Sequence, residues 1–274
     1  MEERKFLENC GYCRYDGQEK RIKFSPNGKS IDVRALILQL DSLFAVEDIS
    51  GAGKLLDEAL SEARALGDKT GELSILSELM GFHRRTGDRE TAVRVSREGI
   101  ALVSELNIGK SVSGATVVLN AATTLAGYGE TDEAIPLFLE VSRIYSSTLD
   151  PEDYRFSGLY NNLGTAYVSA GEFDAALPCY KAALSLSERA GNKPEIAVTH
   201  VNMAELYARR GDDGADADVD RHVSAALSVL EAEEKRDGYY AFTCRKCAPT
   251  LAALGYFFDA KKLNERADAI YGGN

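Results

Sequence analysis

The chain has 274 residues, 45% of them hydrophobic and 27% charged, a balance that excludes a disordered polymer and allows one large domain or an extended array. Its net charge is −11, from 32 basic and 43 acidic residues; a chain of that sign repels phosphate backbones and anionic bilayers, so neither nucleic acid nor membrane is an expected partner. No stretch reaches the roughly 18 apolar residues of a membrane helix, the start at Met1-Glu2-Glu3-Arg4-Lys5 lacks the apolar centre of a signal peptide, and five cysteines do not make a secreted disulfide framework, so a cytoplasmic setting is expected.

Residues 1–30 carry seven basic and five acidic side chains, which leaves the negative excess to the rest of the chain. Tyr12-Cys13-Arg14-Tyr15, Asp16-Gly17 and Arg21-Ile22-Lys23-Phe24 follow one another as two strands around a turn would, so this segment is read as a β-hairpin or short arm. Ser25-Pro26-Asn27-Gly28 is a second turn signal. The segment is too short for a DNA-binding helix-turn-helix domain. Cys10 and Cys13 form a Cys-x-x-Cys pair suited to weak metal binding or oxidation.

From residue 31 the sequence predicts six helix pairs, over 31–67, 68–108, 109–149, 150–191, 192–235 and 236–271. In the first, Gly51-Ala52-Gly53-Lys54 echoes a phosphate loop, but the first glycine of that motif is missing and Leu55 stands where Ser or Thr is needed; Ala52 is read as a small packing residue. In the second, Leu73, Leu76, Leu79 and Met80 recur at helical spacing. Before the fourth pair, Asp150-Pro151-Glu152-Asp153 offers a capping aspartate and a proline for the first helical position, and Asn192-Lys193-Pro194-Glu195 repeats the arrangement before the fifth. The acidic run Asp212, Asp213, Asp216, Asp218 and Asp220 lacks the glycine and terminal glutamate of a calcium loop, so it is read as a solvated insertion. Cys244 and Cys247 in the sixth pair are read as small core residues rather than zinc ligands. His83, His200 and His222 are widely separated along the chain and make no ligand cluster.

The fourth pair is the clearest. Tyr160, Leu163, Gly164 and Tyr167 are followed by Gly171, Phe173 and Ala176, and then by Tyr180, Ala183 and Leu184. Gly164 and Ala176 are small enough to let two helices approach, and the large residues fill the space around that contact. The turn glycine recurs at Gly87, Gly129, Gly171, Gly211 and Gly255, and Ala59, Gly99, Val141, Ala183, Ala226 and Ala267 fall in register in the second helices, with steps of 40 to 43 residues. This pattern resembles the tetratricopeptide repeat, a family whose basic unit is about 34 residues, and the longer period is similar to that of kinesin light chains, polarity adaptors and bacterial peptide-pheromone receptors. The resemblance implies an all-α, right-handed superhelical solenoid of about six helix hairpins.

It also implies where function sits. In this family the first helix of each hairpin lines the concave face, and the register places Asn120, Asn162 and Asn202 at one equivalent inward position. An asparagine donates and accepts, so a row of them can hold the backbone of an extended peptide without reading its sequence. Asn161, Thr165 and Thr123 add polar groups to the same face. Arg84 and Arg85 precede the row, Glu205 and Arg209 fall in the repeat of Asn202, and Lys246 lies beyond it. The expected function is therefore binding of a protein or peptide segment, with no cofactor and no catalysis. The alternatives are a structural scaffold, with the asparagines joining neighbouring repeats and a homodimer formed through a terminal helix pair, or a regulator that senses a signal peptide.

Overall fold

The computed structural model describes residues 28–46 and 48–272. The hairpin or arm expected over residues 1–30, with Cys10 and Cys13, lies outside the described residues apart from the bend at residues 28–30. Among the described residues the fold is all-α, with no strand. Its helices are α1 (Val33–Ala45), α2 (Ile49–Leu66), α3 (Lys69–Thr86), α4 (Arg89–Glu105), α5 (Val112–Gly127), α6 (Thr131–Thr148), α7 (Arg155–Ala170), α8 (Phe173–Arg189), α9 (Lys193–Arg210), α10 (Ala215–Glu231), α11 (Gly238–Ala253) and α12 (Phe257–Tyr271). The chain divides into two compact units, Met1–Tyr128 and Gly129–Asn274.

Helix starts follow directly from residue chemistry. Asp32, Asp48, Asp68, Asp88, Ser111 and Asn192 stand at N-caps, and each side chain accepts a hydrogen bond from the backbone N–H three residues on. This satisfies a donor that the helix itself leaves unpaired. Helix ends are equally local: Gly87 (φ 80°) and Gly171 (φ 81°) close α3 and α7 in the left-handed region that a side chain disfavours. The expected start at Asp150-Pro151 is corrected by the structure. α7 begins at Arg155, because Asp150 Oδ1 accepts from Glu152 N at 2.8 Å, closing a turn two residues on instead of capping a helix. Asp153 then takes the Arg155 N–H at 3.0 Å and its guanidinium at 2.7 and 2.8 Å.

In the first unit α2 packs on α3, α3 on α4, and α5 on both α3 and α4. Ile75, Leu76, Leu79 and Met80 of α3 are buried at the centre. Arg64 of α2 ties α3 and α4 together through Glu72 at 2.8 Å and Glu98 at 2.6 Å.

In the second unit α7 pairs with α8, α9 with α10 and α11 with α12, and α9 also lies against α7, α8 and α11. One core cluster joins Val168, Ala176, Tyr180, Met203 and Leu206. A second gathers Val201, Val223, Tyr240, Cys244, Cys247 and Leu263 among its members. Cys244 and Cys247 are thus core residues, and burial pushes the Cys247 thiol up to about 12, away from thiolate chemistry. The steric role read for Gly164 is visible directly: a Cβ built there would sit 2.6 Å from the ring of Tyr180.

Candidate partner-binding surface

Within the second unit, the first helices α7, α9 and α11 lie side by side, and each buries one face while leaving a stripe open. On α7 the stripe carries Asn162, Thr165 and Ser169; on α9, Asn202, Glu205 and Arg209; on α11, Lys246 and Pro249. Thr165, Arg209 and Lys246 are exposed, whereas Asn162, Asn202 and Glu205 are half-buried. Glu205 and Arg209 form a pair at 3.7 Å one helical turn apart. Lys246 makes no ion pair among the described residues. Its neighbour Arg245 turns instead to Asp268 at 2.9 Å and lies 4.7 Å over the Tyr271 ring.

The asparagines are held by neighbours far away in sequence. Asn161 is only 2% exposed. Its amide donates to Thr199 Oγ1 at 2.8 Å, and the Thr199 hydroxyl passes its proton bond to the Glu195 carbonyl at 2.7 Å. Asn202 donates one amide hydrogen to Asn161 Oδ1 at 3.4 Å. The Asn202 carboxamide is thereby oriented while its oxygen and second hydrogen have no partner among the described residues. Thr165 gives its proton to the Asn161 carbonyl at 3.0 Å and meets the Tyr180 hydroxyl at 3.2 Å.

Asn120 belongs to the first unit, where its amide donates to Ser77 Oγ at 2.9 Å. Thr123 donates to the Leu119 carbonyl at 2.7 Å. Arg84 reaches the Asn120 carbonyl at 3.1 Å and Thr124 Oγ1 at 2.7 Å, and Arg85 lies 4.8 Å over the ring of Phe44. Nearby, burial pushes the Asp41 carboxyl up to about 6. The same withdrawal of bulk water raises Glu78 and lowers Arg84, although both side chains stay open to contact. Protein packed around these groups excludes much of the solvent near them even where part of the side chain stays accessible.

The repeat register puts Asn120, Asn162 and Asn202 at one inward position with Asn161 beside them on the open face; the structure corrects this for Asn161, which is buried against Thr199. The register did not point to Ser77, Thr199 and Asn161 Oδ1 as the groups that hold the amides of Asn120, Asn161 and Asn202. Distance along the chain gave no reason to join His200 to His222, and α9 and α10 bring the two rings into contact. The signal was the repeat register, which puts His200 on the side of α9 that faces α10. Because Asn161 is buried and bonds both Thr199 Oγ1 and the Asn202 amide, its removal takes a hydrogen-bond partner from each. We expect Asn161→Ala to lower the unfolding free energy by about 2 kcal/mol in urea titration, and Asn202→Ala to change it by less than about 0.5 kcal/mol.

Residues 155–215 match the tetratricopeptide repeat family model. No curated protein matches the chain. Among solved structures the chain is similar to a putative kinesin light chain of Podosopora anserina with nearly identical TPR-like repeats, at 18% identity over 71% of this chain and 92% of that one, with a TM-score of 0.48. It is similar to BtubC (BKLC) from P. vanneervenii, at 20% identity over 87% and 92% with a TM-score of 0.48. A MamA protein shares 16% identity over 72% and 90%, with a TM-score of 0.40. No described helix is long and apolar enough to cross a membrane.

Proposed function

We propose, taking as premise that this chain is a tetratricopeptide-repeat protein with its family match at residues 155–215, that it binds an extended segment of a partner polypeptide on the open stripe of α7, α9 and α11. The observation that carries this reading is Asn202. It is anchored from one side by Asn161 and keeps a donor and an acceptor for a ligand on the other. A carboxamide so oriented pairs with the N–H and C=O of a peptide unit without loss of its own freedom on binding, which is the benefit of preorganisation. Thr165 and the Glu205–Arg209 pair extend the polar row, and Lys246, which has no ion pair among the described residues, supplies a cation at its end, favouring an acidic side chain or terminal carboxylate there.

A scaffold reading is supported by a different observation: Asn120 and Asn161 spend their amides on Ser77 and Thr199 inside the fold. In that reading the asparagines set helix spacing and no peptide is held. The two readings separate in a binding experiment with peptides selected from a random extended library against the full chain, followed by fluorescence anisotropy. Partner binding predicts that Asn202→Ala and Lys246→Glu each weaken the selected peptides about tenfold or more, a loss of at least about 1.4 kcal/mol, with helicity unchanged. Lys181→Glu, exposed on the second helix α8, leaves affinity as it was. Failure to select any peptide, or affinity indifferent to both stripe substitutions, supports the scaffold.

A further inference from the structure

Two histidines meet inside the α9–α10 hairpin. His200 Nδ1 and His222 Nδ1 are 2.9 Å apart, their ring centroids 5.2 Å apart. Tyr207 of α9 stacks on His222 at 5.5 Å and 13°. His222 is 6% exposed, and its Nε2 is buried without a hydrogen-bond partner among the described residues. His200 is half-buried.

At that separation one ring must donate and the other accept, so the neutral pair shares one proton between the two Nδ1 atoms. With His200 as donor, a first added proton goes to His200 Nε2, on the more open ring, and the Nδ1–H···Nδ1 bond survives. A second added proton has only the His222 Nδ1 lone pair, which that bond already uses. Two N–H groups on two positive rings would then face each other in a largely dry contact. The charges around the pair do not relieve this. Glu188 of α8 favours a positive His200, and Asp218 of α10 favours a positive His222. Arg221 of α10 opposes both, and is itself paired with Asp218 at 2.6 Å. Among the described residues, α7 and α11 contribute no titratable group acting on either ring.

We propose that the His200–His222 pair is an acid-sensitive clasp: doubly protonated, it no longer holds α9 against α10, and the hairpin that carries Asn202, Glu205 and Arg209 opens. This goes beyond the partner-binding reading, and its test needs no partner. Burial first, then His200 and Arg221, pushes His222 down from 6.5 to about 4, and burial lowers His200 as well. The unfolded hairpin therefore binds more protons than the folded one between those values. The clasp is fully effective above about pH 6.5 and weakens as pH falls through that window.

Hydrogen-exchange mass spectrometry of the full chain at pH 7.5 and pH 5, corrected for intrinsic exchange, tests the clasp. Between the two conditions, the opening equilibrium of α9 and α10 is expected to rise about 30-fold more in wild type than in His222→Phe, the factor that a drop from 6.5 to about 4 produces at pH 5. Peptides from α3 and α4 should respond alike in both proteins. Equal pH dependence of α9 and α10 in the two proteins overturns the proposal. Imidazole NMR titration of the wild type needs no substitution and covers the case in which the variant does not fold: one ring of the pair titrating below about pH 5 supports the clasp, and both rings titrating near 6.5 overturn it.

Discussion

Tyr180→Ala is expected to lower the unfolding free energy by about 3–5 kcal/mol, the range for removing a fully buried aromatic side chain and leaving its space unfilled. Tyr180 is 1% exposed at the meeting of α7, α8 and α9, against Val168, Ala176, Met203 and Leu206. The size of the loss alone does not identify the contact, but its coupling to Gly164 does. A Cβ at Gly164 would lie 2.6 to 3.0 Å from three atoms of the Tyr180 ring, and a ring so enclosed has nowhere to move. Gly164→Ala therefore costs about 1–3 kcal/mol in overpacking, offset by about 1 kcal/mol of helix propensity, and is destabilising in the wild type. In the Tyr180→Ala background the clash is gone and the propensity gain remains, so the sign of Gly164→Ala reverses. Urea denaturation of the four proteins measures this reversal as an interaction energy. Gly99→Ala is the comparison, because its Cβ would press at 2.5 Å on the terminal methyl of the unbranched Met80 side chain, with Val117 at an ordinary 3.7 Å, and neither contact depends on Tyr180.

Asp68→Ala is the second large effect, with an expected loss of about 2–4 kcal/mol, the sum of a lost N-cap and a buried backbone N–H left unpaired. Asp68 Oδ1 accepts from Gly71 N at 2.9 Å, starting α3, while Oδ2 accepts from Ile31 N at 2.8 Å, anchoring the chain just ahead of α1. Ile31 is 7% exposed and its bond to Asp68 is partly buried, so water replaces the lost acceptor incompletely. Asparagine caps helices as well as aspartate does, yet here Asp68→Asn should still lose about 1–2 kcal/mol, because its NH2 would confront a second N–H donor. A thermal melt in which Asp68→Asn equals wild type would show that the Ile31 bond contributes nothing.

These two sites mark what the sequence made legible. Gly164, Ala176 and Tyr180 could be read because their contact is a steric rule at short fixed spacing within one hairpin. N-caps such as Asp88 and Asn192 are local for the same reason. Asp150 misled because a short aspartate side chain has two local uses, and the turn to Glu152 prevailed over a helix cap. The second role of Asp68 was hidden because Ile31 is 37 residues away. The candidate surface divides in the same manner. The register singles out Asn120, Asn162 and Asn202, but that the Asn120 and Asn161 amides are spent inside the fold depends on Ser77 and Thr199, 43 and 38 residues distant. The His200–His222 contact likewise exists only once α9 and α10 are packed.

Backbone amide NMR of the full chain, titrated with a selected library peptide, tests most directly whether a partner segment lies on α7, α9 and α11. The predicted result is a set of shifts centred on Thr165, Asn202, Glu205, Arg209 and Lys246, with little change on α8, α10 and α12. Shifts confined to those second helices, with the Asn202 side-chain amide unmoved at saturation, would contradict it.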